Sequence, residues 1–416
     1  MQKILEQKIN DMDGDSLVEL KGKIEINIDR SSSFTVGKRC VKGIIDINRS
    51  NVIIDGLGAE IIVNVKDSFT SDWSLFFVSP AVRNVQLKNL FIKVNIDNSE
   101  DTNRLFSVVY NTSYGLKIIN CNFEVISNKQ INLYGIYNNG NLDTHIETRA
   151  DNLTVDNCQI KVDCNAENYS NECSAYGIYN YLANSISVQN NYIYVFNRGT
   201  GLKHMSIGLY TNGRYGRFVG NNIKANGCHN VGREKERAHA IGFINEGLYS
   251  IISSNNIVGE WAGKAVGLDN YGEYAVVSSN KILATHTICG RSIRSYGNNS
   301  CIEGNVLTST SRNARLVEHN AHNCIISRNI FDVLMTWIEC RSGCGIYAVG
   351  EQCTENIITE NIIRHTLNCA LFLDDNVGIV KDNSFFVYEQ TVHIANSKDK
   401  EMFDKLSEEN ITSIYL

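Results

Sequence analysis

Residues 240–264 read AIGFINEGLYSIISSNNIVGEWAGK, and residues 265–281 read AVGLDNYGEYAVVSSNK. Both copies follow one plan. A small residue leads into apolar-Gly-apolar, a polar turn, four strand residues, and then Ser-Asn or Asn-Asn. The apolar positions do not recur at helical spacing, and neither copy can bury its apolar face alone. Self-similarity at a period of about 20–50 residues marks a stacked-repeat protein. Short strands between Asn/Gly turns predict a β-solenoid, all-β, with three short strands per coil.

The composition agrees. The 416 residues exceed an ordinary compact core, but a solenoid grows by adding coils. Proline occurs once, at Pro80, and Asn is abundant. Asn tolerates left-handed backbone and caps turns, which suits a chain that turns every few residues. The formal charge is −6 with no basic stripe, so no nucleic-acid partner is expected. The 13 Cys lie singly and form no C-x-x-C, so they read as reduced apolar fillers. No metal site and no cofactor are expected.

The first residues, MQKILEQKINDMDGD, are charged and lack an apolar run. They read as neither signal peptide nor membrane anchor. The expected location is therefore cytoplasmic, or outside the cell by phage or non-classical release. Ile4, Leu5 and Ile9 can share a helix face, giving an N-terminal helical cap over 1–15. The β-helix is expected over 16–390. A capping helix at Ser397–Asn410 and a tail complete the chain over 391–416.

One column can be followed along the repeats, just before each apolar strand start. It contains Asn89, Asn122, Gln159, Tyr192, Asn222, Asn256, Lys281, Asn305, Asn329, Asn361 and Asn383, at intervals of 22 to 37 residues. Coils stack about 4.8 Å apart, so identical Asn side chains can hydrogen-bond up the stack. The shortest interval is one bare coil. Longer coils carry insertions at 139–151, 163–175, 197–205, 226–239 and 284–291.

This coil pattern resembles the right-handed parallel β-helix proteins of the pectate-lyase-like superfamily. The resemblance implies a carbohydrate ligand. The phrase GLDNYGE at 267–273 is also similar to coil ends of the β-helix inulin fructotransferases, with a carboxylate at Asp269. That likeness implies a homo-oligomer, a trimer, with sites between subunits.

Insertions on a solenoid tend to mark its binding face. Beside them run the segments YGIYN (134–138), YGIYN (176–180), IGLYT (207–211), IGFIN (241–245), VGLDN (266–270), IRSYG (293–297) and LVEHN (316–320). Alternation turns the first and third residues inward and the second and fourth outward. The fourth column then holds Tyr179, Tyr210, Asp269, Tyr296 and His319, with glycines in the second column until Arg294. This predicts a flat aromatic strip for sugar rings, next to a catalytic group of Asp269, Arg294 and His319. Asp269–Tyr296 and Tyr296–His319 contacts are expected, and Glu318 falls on an inward position. Glu246 and Glu273 follow at the next turn. Glycoside cleavage needs two carboxylates about 5–9 Å apart, and Asp269 with Glu246 or Glu273 meets that need. Elimination from a uronic acid needs a base and a cation, for which Arg294 with His319 or Tyr296 serves. Arg237 and His239 in the loop and Trp261 complete the expected oligo- or polysaccharide contacts.

Three functions fit. The chain is a lyase, hydrolase or intramolecular transferase acting on a glycan. Alternatively, it is a non-catalytic glycan-binding or phage-tail β-helix, or a uronate C5-epimerase. Uneven insertions gathered over the middle coils favour a site over a plain fibre.

Overall fold

The computed structural model describes residues 7, 9–10, 16–28, 41–66, 72–97, 104–129, 131–140, 150–165, 173–198, 204–227, 239–285, 287–311, 313–333, 342–365, 369–374, 376–387, 390–395 and 411–414. Every strand pairing is parallel between successive coils, and three sheets result. The first runs from Ser16–Glu19 to Gly378–Lys381 with 13 strands. The second runs from Lys23–Ile28 to Ile411–Ile414 with 14. The third runs from Val41–Ile47 to Gln390–Ala395 with 13. Each coil contributes one strand to each sheet in turn, as the repeat predicts, and the molecule is a right-handed parallel β-helix.

Inward alternation builds the core. Ile92, Phe123, Ile160, Ile193, Ile223, Ile257, Ile282, Leu307, Phe331 and Ile363 pair in unbroken register along the second sheet, and all are fully buried. Each continues the apolar column of the coil below, so burial is repaid only when coils stack.

The Asn column is real but differs from the expected one. Asn122, Gln159, Tyr192, Asn222, Asn256 and Lys281 do pair in register, but Lys281 pairs with Val306, not Asn305. Asn305, Asn329, Asn361 and Asn383 belong one position earlier, to a buried ladder that starts at Asn191 and continues through Asn221, Asn255 and Asn280. Each amide Nδ2 donates to the next Asn Oδ1 at 2.9–3.0 Å. Asn280 shows how the rung closes: its second amide hydrogen goes to the Ile252 carbonyl at 2.8 Å, and its Oδ1 also accepts the Asn255 backbone N–H. The side chain replaces the ladder partners that the backbone loses at this corner. The motif carries two polar residues before the strand in the middle coils, and only the first turns inward.

The third sheet holds a second alignment difference. Each middle strand contains a glycine, such as Gly177 or Gly208, at a bulge that the cross-strand pairing skips. These glycines face inward, not outward as alternation predicts. A Cβ on Gly208 would sit 2.3 Å from Ile223 Cγ2 and 2.5 Å from the Gly242 carbonyl. The extra residue turns the first segment position, Tyr134 or Tyr176, outward together with the fourth.

At the N-terminus, residues 7, 9 and 10 are helical and Ile9 is fully buried in the core; the rest of the expected cap lies outside the described residues. The helix expected at Ser397–Asn410 also lies outside them. The sheets run past residue 390, through Gln390–Ala395 and Ile411–Ile414. The insertions at 163–175, 197–205 and 226–239 join second-sheet to third-sheet strands, and 139–151 joins the third sheet to the first. At 284–291 there is no long insertion: strands Lys281–Thr285 and Cys289–Ser295 leave three residues between them.

Candidate functional site

The outer face of the third sheet changes character along the helix axis. One outward column runs Phe77, Tyr110, Tyr137, Tyr179, Tyr210, Ile244, Asp269, Arg294, Glu318, Tyr347, Phe372. The parallel column beside it runs Tyr134, Tyr176, Ile207, Ile241, Val266, Arg291, Arg315. Aromatic rungs therefore give way to a small apolar cluster of Ile207, Ile241 and Val266, packed by Tyr210 and Ile244. Charged rungs follow.

The aromatic rungs pack ring against ring, stacked except for a 45° tilt between Tyr137 and Tyr179. Ring centroids lie 5.8 Å apart for Phe77–Tyr110, 4.8 Å for Tyr110–Tyr137, 4.9 Å for Tyr137–Tyr179 and 4.6 Å for Tyr179–Tyr210. The flat strip expected from sequence is thus largely consumed. Each inner ring spends its faces on its neighbours and presents edges and hydroxyls outward. Tyr179 is internal to this stack. Tyr210 ends it and donates its hydroxyl to Glu246 Oε2 at 2.6 Å. Burial and that carboxylate raise the Tyr210 pKa, so it stays a donor.

The charged rungs form one network. Arg294 Nη2 is bonded to Asp269 Oδ2 on the preceding coil. Glu318, on the following coil, accepts from Arg291 Nε, from Arg315 Nη1 at 3.1 Å and from the Tyr296 hydroxyl at 2.8 Å. The Arg315 guanidinium lies over the Tyr347 ring, 3.6 Å from its centroid. Tyr271 and Tyr296 stack at 5.2 Å on the turn just past the strands.

The two carboxyls on this column are driven apart. Burial pushes Asp269 up to about 6, against the opposing pull of Arg294 and Lys264. Burial also acts on Glu318, but Arg291, Tyr296 and Arg315 outweigh it and hold Glu318 down at about 2. Asp269 Oδ1 and Arg294 Nε are buried without a well-formed hydrogen bond among the described residues, although the Tyr271 hydroxyl also acts on the Asp269 carboxyl. Such orphaned polar atoms and divergent pKa values gather at functional sites.

The expected group is thus partly assembled and partly corrected. Asp269 and Arg294 meet directly. Tyr296 does not occupy the rung between Asp269 and His319, because IRSYG is out of register by two residues. Arg294 pairs with Asp269, and Tyr296 matches Tyr271 on the turn. LVEHN is out by one: Glu318 takes the outward position and His319 points inward. His319 is fully buried, its pKa pushed down to about 4 by that burial. It closes a second buried column after Asn245, Asn270 and Ser295, in which Asn245 donates to Asn270 at 2.6 Å. Chemistry from His319 is thereby excluded at this face. Its place is taken by Glu318, which the slipped register had hidden.

Glu246 is exposed, one coil from Asp269 and two residues past the outward column. Glu273 lies further along its turn, where Asn298 Nδ2 donates to it at 3.4 Å. His239 pairs with Lys264 at the start of the strands; burial, Lys264 and Arg294 push its pKa down to about 4. Trp261 stands 43 % exposed at the corner before Lys264, with φ 52°. Arg237 lies outside the described residues. Among the described residues, no group of three or more His, Cys, Asp or Glu is placed to hold a metal ion.

Comparison with known proteins supports the fold. The tailspike protein of E. coli bacteriophage HK620 in complex with a pentasaccharide superposes at TM-score 0.53 and 12 % identity, covering 99 % of this chain and 73 % of that one. Two mutants of the same tailspike, also in complex with pentasaccharide, align at TM-scores of 0.58 and 0.54 with 12 % identity, covering 99 % of this chain and 74 % and 73 % of theirs. No family model and no curated protein sequence matches the chain.

Proposed function

We propose that this β-helix binds an oligosaccharide across the outer face of its third sheet and hydrolyses a glycosidic bond there. Asp269 is the general acid and Glu246 the carboxylate that activates water. The observation that carries the reading is the state of Asp269. It is a carboxyl whose pKa burial raises to about 6, with one oxygen lacking a well-formed hydrogen bond among the described residues, one coil away from an exposed carboxylate. One coil step and two strand residues separate their backbones by about 8 Å, within reach of the carboxyl spacing that glycosidases use. Glu318, locked by two arginines and held strongly ionised, is a poor base; it orients Arg291, Arg315 and Tyr296. Tyr210 orients Glu246.

Carbohydrate as ligand is supported by the tailspikes that share the fold and are in complex with a pentasaccharide. The same likeness favours release with a phage particle over a cytoplasmic location. Fold does not fix function, so the chemistry rests on the site. A non-catalytic glycan-binding β-helix is the second reading, favoured by the 2 % exposure of Asp269.

The test is a panel of neutral and uronic-acid oligosaccharides, scored for new reducing ends and for the ultraviolet absorbance of unsaturated uronides. Reducing ends from wild type but not from Asp269→Asn or Glu246→Gln support hydrolysis. Unsaturated product means elimination instead. Binding without turnover leaves the non-catalytic reading. A homo-oligomer, a trimer, belongs to the proposal as well. The exposed apolar column Ile251, Val276, Ile325, Ile357 and Ile379 on the first sheet supports it. Light scattering of the intact protein gives the answer.

A further inference from the structure

Four permanent or near-permanent cations crowd the charged rungs: Lys264, Arg291, Arg294 and Arg315. Among the described residues, two carboxylates pair with them there. Asp269 is taken by Arg294, and Glu318 is shared between Arg291 and Arg315. Lys264 has no hydrogen bond and no ion pair among the described residues. It is half-buried, and it sits one rung from His239 on the strand that carries Val266 and Asp269. Burial and the nearby Arg294 and Arg291 lower its pKa, with Glu318 and Asp269 opposing. The Nε–H of Arg294 is likewise unsatisfied. His239 adds no charge to this excess at neutral pH, because burial, Lys264 and Arg294 keep its imidazole neutral. This local positive surplus stands in a chain whose net charge is −6.

A half-buried ammonium near the Arg294 and Arg291 guanidiniums, with no ion-pair partner among the described residues, costs desolvation and repulsion. An anion placed between Lys264 and Arg294 removes both costs and supplies acceptors for the free Nζ and Nε donors. A neutral sugar hydroxyl removes neither. We propose that Lys264, with Arg294, binds an anionic substituent of the glycan, a carboxylate or a sulfate or phosphate ester, and so selects an acidic saccharide. This rests on the reading of the third-sheet face as a glycan site. It adds a charge requirement that this reading does not contain.

The experiment uses the intact protein and a panel of uronate-bearing oligosaccharides. Each is set beside its carboxyl-reduced neutral twin and a sulfate-bearing counterpart, and affinities are measured by calorimetry for wild type, Lys264→Met and Lys264→Arg. A charge-assisted contact in a partly buried site corresponds to about tenfold or more in affinity. Wild type should therefore prefer one anionic form over the neutral twin by that factor. Lys264→Met should lose the preference while keeping its affinity for the neutral twin, and Lys264→Arg should retain most of it. Which anionic form wins separates carboxylate from sulfate recognition. Equal affinity for anionic and neutral twins overturns the charge requirement and leaves the glycan site standing. So does a preference that survives in Lys264→Met. Failure of every oligosaccharide to bind overturns both. Circular dichroism and melting of both variants guard against a folding artefact, and among the described residues Lys264 holds no hydrogen-bond or ion-pair partner whose loss would unfold the coil.

Discussion

The Asp269 carboxylate is bonded to the Arg294 guanidinium on the next coil, and the pair lies on the outward side of the third sheet with only 2 % of Asp269 exposed. Removing the cation leaves a buried charge without its partner, which costs about 3–5 kcal/mol where the group cannot neutralise itself. Asp269 can, because burial already raises its pKa to about 6. Its contribution to stability is fully present below the unfolded carboxyl value of 3.8 and is lost as pH rises through about 6. Arg294→Met should therefore destabilise by about 3 kcal/mol at pH 8 and by clearly less at pH 5. Urea unfolding at the two pH values reads the difference. An equal loss at both would mean that the charge of Asp269 does not set it.

His319 makes the opposite contribution. Its folded pKa of about 4 lies below the ordinary 6.5, so its share of stability is complete above 6.5 and is lost as pH falls through 4. The shift corresponds to about 3 kcal/mol between those limits. His319→Asn puts an uncharged amide at the end of the Asn245–Asn270–Ser295 column. Its unfolding free energy should change by about 3 kcal/mol less than that of wild type between pH 7 and pH 4.

The buried Asn ladder should be costly to break at any rung. Asn280→Ala removes two donors and an acceptor, stranding the Ile252 carbonyl, the Asn255 backbone N–H and one Asn255 Nδ2 hydrogen, while the backbone N–H of residue 280 still serves Asn305 Oδ1. Each stranded buried group costs about 1–3 kcal/mol, so a loss of about 3 kcal/mol or more is expected. Asn256→Ala, one residue on and outside the ladder, should cost under about 1 kcal/mol. Paired thermal melts decide whether the inner column or the outer one carries the stability.

Gly208→Ala tests the bulge. Its new Cβ would meet Ile223 Cγ2 at 2.3 Å and the Gly242 carbonyl at 2.5 Å. Backbone cannot yield as a side-chain tip can, so overpacking of about 2–3 kcal/mol is expected. Relieving the side-chain clash with Ile223→Ala should recover little of it. Full recovery in the double variant would place the constraint on Ile223 rather than on the backbone.

The Tyr210–Glu246 bond offers a subtler check. If Tyr210 orients Glu246 for water activation, Tyr210→Phe should lower turnover about tenfold or more with little change in melting temperature. A loss confined to substrate affinity would mark Tyr210 as a binding group alone.

The sequence by itself determined the architecture. The apolar-polar alternation, the Asn/Gly turns and the recurrence of the Ala240–Lys281 plan leave few ways to bury the apolar positions, and stacking coils satisfies all of them. Asp269, Arg294 and Glu246 could be named as candidates, because residue type and rung order survive any small error in alignment. Only the tertiary structure decided which side chains share a rung. Coil lengths vary, the third-sheet strand carries a bulge, and the IRSYG and LVEHN segments slip by two and one residues. A one-residue slip exchanges inside for outside. That exchange buried His319 and brought Glu318 to the surface. A similar one-residue offset placed Asn305, Asn329, Asn361 and Asn383 in an interior ladder. Local pattern sets strand and turn, but facing partners come from hydrogen-bonded coils some 22–37 residues apart, and their register is fixed only when the whole stack closes.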